Sequence, residues 1–243
     1  ELAKESGLVV TDMVDLQPWK KWAKKVSEVC CLLEVDSHCV LPRPVFGKSL
    51  DRPFKFRKAT DDEMRARVGR NWPVVRDEVR RMPESWSPPF EPVDVRLELS
   101  KDGGAELLSK CEIDPTVVAV TGVTGGSSYA IEHWENWCDS GIRRYHMKRN
   151  NAALSDGVSR MSPWIHYGMI STTRMVRDAS SIGGKGAEKF LDEMLVFREH
   201  AQHHVHAKDN PDDWANIPGW AITSWNDRRP EISELSPIEL ERG

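Results

Sequence analysis

Arginines, hydroxyl side chains and a proline crowd the stretch from Gly141 to Arg174, GIRRYHMKRNNAALSDGVSRMSPWIHYGMISTTR. Arg143, Arg144 and Tyr145 open it, and the small-residue turn Ser155-Asp156-Gly157 follows. Ser159-Arg160-Met161-Ser162-Pro163 then leads into the apolar Trp164, Ile165, Tyr167, Met169 and Ile170. A Ser before a Pro at the first helical position predicts a helix start, because the Ser oxygen accepts an orphan N–H and Pro has none to leave unpaired. The free N–H groups beyond Ser162, flanked by Arg160 and Tyr145, would suit a phosphate. Anion binding is therefore the chemistry expected of this stretch.

A second set of chemically capable residues lies further on, in AEKFLDEMLVFREHAQHHVHA. Glu193 and Glu199 are six residues apart and do not share a helical face, so a general acid–base pair is a poor reading, and surface salt bridges are the plain alternative. His200 and His204 have the i, i+4 spacing that lets two imidazoles meet one metal ion. No HExxH pattern or thiolate partner accompanies them, so no metal site is assigned, and the cluster His200, His203, His204 and His206 reads as a solvated helix end. Cys30, Cys31, Cys39, Cys111 and Cys138 are odd in number and irregularly spaced, which gives neither a disulfide framework nor a zinc motif. An intracellular, reducing compartment, nucleus or organelle such as the chloroplast, is expected.

The elements that must position these residues fall into two styles. Leu8-Val9-Val10-Thr11 reads as a strand, PWKKWAKKVSEV from Pro18 as an amphipathic helix, and Cys31 to Asp36 as a second strand. Such a unit implies parallel strands, with Asp12 and Asp36 at carboxyl ends, where they either face a ligand or cap a turn. Two parallel strands cannot bury both faces, so the segment reads as the tail of a larger sheet. From Val40 to Pro92 proline and charge dominate, with a helix predicted from Thr60 to about Val68 on the cap-like TDDE, and Ser85-Trp86-Ser87-Pro88-Pro89 closing the segment. Residues 93–124 suggest no function. From Ser127 the pattern is helical: Ala130, Ile131, Trp134, Trp137 and Cys138 share one face, and a helix is predicted from Ser162 to about Ala179. Gly183-Gly184-Lys185-Gly186 reads as a flexible break before the helix carrying Phe190, Leu191, Met194, Leu195, Phe197 and Ala201.

Composition bounds the answer. The chain has 243 residues, 39% of them apolar, enough for a real core, and no run long enough to span a membrane. A net charge of −4 gives no long-range attraction for nucleic acid, so any DNA contact needs a local patch. Ten tryptophans are read chiefly as core anchors, with an aromatic environment for a flat cofactor or electron transfer as the other use. The first residue is Glu1 rather than Met, so a processed chain or a fragment is expected.

RRYHMKRNN, SRMSPWIHYGMIS, FLDEMLVFREH and WANIPGWA, in that order, resemble the first part of the flavin-binding helical domain of the DNA photolyase/cryptochrome family, and class II cyclobutane pyrimidine dimer photolyases above all. GLVVTDMVDLQPWKKW and LLEVDSHCVLP are similar to the closing strands of that family's α/β antenna domain and the start of its long connector. The resemblance implies an α/β part followed by a mainly α part. Residues 1–45 would be the end of the α/β domain, 46–126 the connector, and 127–243 the first portion of the helical FAD-binding domain. It further implies that Tyr145, Ser159, Arg160, Met161 and Ser162 hold the FAD diphosphate and ribityl chain, that Arg198 lies beside the flavin, and that Glu193 meets the flipped pyrimidine pair. The implied activity is light-driven electron transfer from reduced FAD to a pyrimidine dimer in damaged DNA.

The sequence also departs from the family's pattern. The first three antenna strands are missing, and after Ile238-Glu239-Leu240 the chain stops where the family continues into helices that complete the flavin pocket. Phe197 stands for a basic residue, and His200 to His206 replace a mixed apolar and amide segment. The alternative expectation is thus a catalytically inactive photolyase-like subunit, without FAD, whose open sheet edge and cavity are covered by other protein subunits.

Overall fold

The computed structural model describes residues 2–70, 86–114 and 116–232. Trp72, one of the ten tryptophans, and Ser85 and Ile238-Glu239-Leu240 of the sequence reading lie outside the described residues. After a first turn, α1 (Leu2–Glu5), the chain forms β1 (Val9–Asp12), α2 (Trp19–Ser27) and β2 (Leu32–Val35). The two strands pair in parallel with Val9 opposite Leu32 and Asp12 opposite Val35, the strand–helix–strand unit expected from the alternation of periods. Among the described residues they are the whole sheet. Val10, Leu33 and Val35 stay exposed, as do Trp19 and Trp22 of α2, whose rings meet edge to face.

The rest is helical. Short α3 (Arg43–Phe46) is followed by α4 (Pro53–Gly69), which begins seven residues before the predicted start at Thr60. Pro53 occupies the first helical position, where its missing N–H is no loss, and Phe56, Thr60 and Met64 recur every four residues on one buried stripe. Thr60 caps nothing: its hydroxyl donates to Phe56 O within the helix. Beyond α5 (Val95–Asp102) and α6 (Ala105–Ser109), the run Val117, Val118 and Val120 is exposed.

The core forms around α7 (Ser127–Ser140), where Ala130, Trp134 and Trp137 are buried as their spacing predicts. Trp134 and Trp137 pack against Phe190, and burying rings of this size contributes on the order of 1.5–3 kcal/mol each. A 3₁₀ turn (Ile142–Arg144) leads into α8 (Tyr145–Lys148). The long helix predicted after Ser162 is broken: α9 (Ser162–His166) ends at once, Gly168 takes a left-handed φ of 65°, and α10 (Thr172–Ile182) starts afresh with the Ser171 hydroxyl capping Arg174 N–H.

Gly183 and Gly184, both at positive φ, separate α10 from α11 (Gly184–Asp192). Gly186 is not part of a flexible break. It lies inside α11 where a Cβ would collide with the Ile142 and Arg143 backbone, so its lack of a side chain lets α11 close on the 3₁₀ turn. A π-helical turn (Glu193–Arg198) then precedes α12 (Glu199–His206), and α13 (Gly219–Ile232) ends the described chain. Of the nine described tryptophans only Trp134, Trp137 and Trp164 are buried, so the expectation that most anchor the core is corrected; Trp214, Trp220 and Trp225 stand largely in solvent.

Candidate functional site

Two places gather the chemically capable residues. The first is the loop between α8 and α9. Lys148 donates to Asp156 at 2.5 Å, and Gly157 packs against Lys148 O, which folds the loop back onto α8. His133 Nε2 donates to Ser159 O at 2.9 Å, anchoring the loop to α7, and the Ser159 hydroxyl accepts from Met161 N at 3.5 Å. Between them Arg160 is exposed with φ 54°, the one left-handed residue other than glycine among those described. A non-glycine residue held there stores about 1–2 kcal/mol, and such strain clusters at functional sites. Met161 is buried and anchors the loop's end in the core.

Ser162 does not cap the helix as expected. Met161 is the N-cap residue and makes no side-chain cap bond, while Ser162 already sits in the first turn, exposed. With five residues, α9 is too short to build up a useful dipole. What remains of the predicted anion site is a polar, strained loop carrying Ser159, Arg160 and Ser162. Tyr145 sets its ring edge-on to Trp137 and Phe190, with burial and then the Glu193 charge pushing its hydroxyl pKa up. Glu193, half-buried, pairs with Lys189 at 2.9 Å and Arg149 at 3.0 Å. Lys189 also lies 5.3 Å from the Phe197 ring.

The second place was not legible in the sequence. The segment after β2, residues 38–50, is clasped by the π-turn and α12. Arg198 Nη1 donates to His38 O at 2.7 Å, and Glu199 accepts from Val40 N at 2.7 Å and Leu41 N at 3.2 Å. His203 Nε2 bonds Leu41 O at 3.0 Å, His200 Nε2 bonds Leu50 O at 2.7 Å, and His204 Nδ1 meets Ser49 Oγ at 2.8 Å. His206 Nδ1 reaches Asp15 at 2.8 Å. The histidines expected to be solvated are therefore half-buried or buried, with His200, His203 and His204 bonded to this segment and His206 to Asp15. Burial pushes the Glu199 carboxyl up to about 7, against the opposing pull of the two N–H donors. Burial also lowers the His203 pKa, favouring the neutral ring.

Beneath the clasp, Arg43 is buried and bridges Asp15 at 2.5 Å and Asp36 at 2.9 Å, with a further bond to Met13 O. Asp36 accepts from the N–H groups of His38 and Arg43 as well. Asp36, one of the two strand-end carboxylates, thus caps a turn rather than facing a ligand, while Asp12 is exposed.

Two cavities among the described residues do not enclose the predicted cofactor residues. One, about 920 Å³, opens between α4, α10 and α11 along Arg57, Met64, Leu191 and Val196. The other, about 250 Å³, is lined by Tyr129, His133, Asn136 and Trp164. Neither is lined by Tyr145, Ser159, Arg160, Ser162 or Arg198. Neither cavity gathers the residues that the resemblance assigns to the cofactor.

A two-stranded parallel sheet beside a helical core, with a strained polar loop, defines an α/β-plus-helical architecture. No protein-family model matches the chain. By sequence it is similar to deoxyribodipyrimidine photo-lyases: to that of Methanothermobacter thermautotrophicus at 30% identity over 48% of this chain and 26% of the relative, to that of Arabidopsis thaliana at 21% over 95% and 48%, and to that of Potorous tridactylus at 22% over 96% and 43%. The chain is related to the photolyase family. It spans less than half the length of each of these relatives.

Proposed function

We propose that this chain carries the end of the antenna-type α/β part (residues 1–45), the connector (46–126) and the first portion of the helical FAD-binding part (127–243) of a photolyase-family flavoprotein of class II character. Its inherited activity is light-driven repair of cyclobutane pyrimidine dimers in DNA. The observation that carries this reading is the similarity to two photo-lyases over nearly the whole chain, 95% and 96% of its length. In this reading Tyr145, Ser159, Arg160, Met161, Ser162 and Arg198 contact the cofactor and Glu193 the lesion.

A flavin absorption spectrum of the purified protein, followed by blue-light repair of a dimer-containing oligonucleotide, tests it. Stoichiometric FAD with repair is expected. The double variant Ser162→Ala/Arg160→Ala should bind FAD at least about tenfold more weakly, the equivalent of losing one charge-assisted contact of about 1.4 kcal/mol. Unchanged affinity in titration would show that the loop does not hold the diphosphate.

The exposed faces of β1, β2 and α2 favour a second reading, an inactive photolyase-like subunit that covers this sheet with another protein. A colourless protein that becomes soluble only with a partner would select it.

A further inference from the structure

We propose that Cys39, Glu199 and His203 form a binding site for one divalent transition-metal ion of the zinc type, tying the segment after β2 to α12. A thiol, a carboxylate oxygen and a ring nitrogen from these three residues all lie within 4.8 Å of one another. All three residues are nine-tenths or more buried, at 5%, 1% and 2% exposure. Glu199 and His203 stand one turn apart on α12, so their side chains share a face, and the bonds of Glu199 to Val40 N and Leu41 N bring the neighbouring Cys39 to that face.

The His203 ring singles the cluster out. A carbonyl only accepts, so the bond to Leu41 O makes Nε2 the donor and leaves the Nδ1 of the neutral ring with a lone pair. Nδ1 is buried with no hydrogen-bond partner. Core packing gives no reason for that orphan, since buried polar atoms are ordinarily paired. A ring N–H held by a backbone carbonyl with the other nitrogen free is how metal-bound histidines are oriented. Each Glu199 oxygen accepts one N–H and keeps a second lone pair. Thiolate, imidazole and carboxylate together are ligands that zinc accepts, and one thiolate with one carboxylate would neutralise a divalent charge taken out of water. The site rests on no flavin and is independent of the proposed function.

The test is a Co²⁺ titration of the full chain after dialysis against a chelator, with Zn²⁺ as competitor. One equivalent of Co²⁺ per chain should bind with a near-ultraviolet thiolate charge-transfer band, and Zn²⁺ should displace it. Cys39→Ser should abolish the band. His203→Gln should weaken Co²⁺ binding beyond the about 10- to 100-fold that loss of an outer-shell partner causes. The pair His200→Gln/His204→Gln should change neither stoichiometry nor band. A variant replacing Cys30, Cys31, Cys111 and Cys138 by serine should keep the band, so the assignment does not hang on Cys39→Ser folding. No stoichiometric metal, binding without the thiolate band, or a band lost with those four cysteines would overturn the proposal.

Discussion

Arg160 holds a backbone conformation that glycine adopts freely, and it does so on an exposed loop where no packing demands the long side chain. Relieving that strain should show directly. Arg160→Gly is expected to raise stability by up to about 1 kcal/mol, whereas Arg160→Val should lower it, since a β-branched residue tolerates this region least. Thermal melts of the two variants check this, and a melt in which glycine destabilises would mean the side chain makes a contact that outweighs the strain. If the guanidinium serves an anion, the glycine variant will be the more stable protein and the poorer binder. Arg160 and Ser162 were legible in the sequence as a polar pair before a helix. The strain was not, because φ is set by how Met161 is buried and His133 holds Ser159 O, which are tertiary facts.

At the level of elements, the periodicities did most of the work. The face of α7 and the strand–helix–strand unit followed from spacing alone. The start of α4 did not, since TDDE imitates a cap, and a buried stripe reaching back to Phe56 outweighs that local signal. The clasp by α12 was hidden for another reason: most of its partners are backbone groups, those of Val40, Leu41 and Leu50, which carry no side-chain signature. Arg43 is the element-scale joint between β1 and β2. Burial pushes the Asp36 carboxyl up, but the hydrogen bonds and charge of Arg43 outweigh it and hold it below the ordinary carboxylate value of 3.8. A depressed folded pKa contributes stability above that ordinary value, and the contribution is lost as pH falls through the folded one. Asp36→Asn, which leaves Arg43 short of its partner, should therefore destabilise by about 3–5 kcal/mol at pH 7. The loss should shrink in acid, near pH 3. Urea midpoints at the two pH values measure it, and equal losses at both would remove Asp36 from the acid response.

For the molecule as a whole, the two halves read as separate in sequence are joined by the bonds between residues 38–50 and α12. Glu199 is the hub. Replacing it with Leu should strand two buried N–H groups, each costing about 1–3 kcal/mol, while Gln retains one acceptor and loses less. Hydrogen exchange reports the clasp itself: the Val40 and Leu41 amides should lose protection in Glu199→Leu, and amides in α7 should not. Protection unchanged at Val40 and Leu41 would show that the loop stays docked without the carboxylate. The helical half was legible from its motif order, and the relationship to photo-lyases agrees with it. The distribution of tryptophans was not, because aromatic residue type alone does not say whether a ring faces a core or the surface.

Val40 and Glu199 are 159 positions apart in the chain. During synthesis at about 5–20 residues per second, the segment after β2 leaves the ribosome some 8–30 s before the carboxylate that receives it. Until then the Val40 and Leu41 amides and the Leu41 carbonyl await the partners that α12 supplies. The nascent protein therefore passes through a vulnerable interval whose length is set by translation speed, and the docking of α12 closes it.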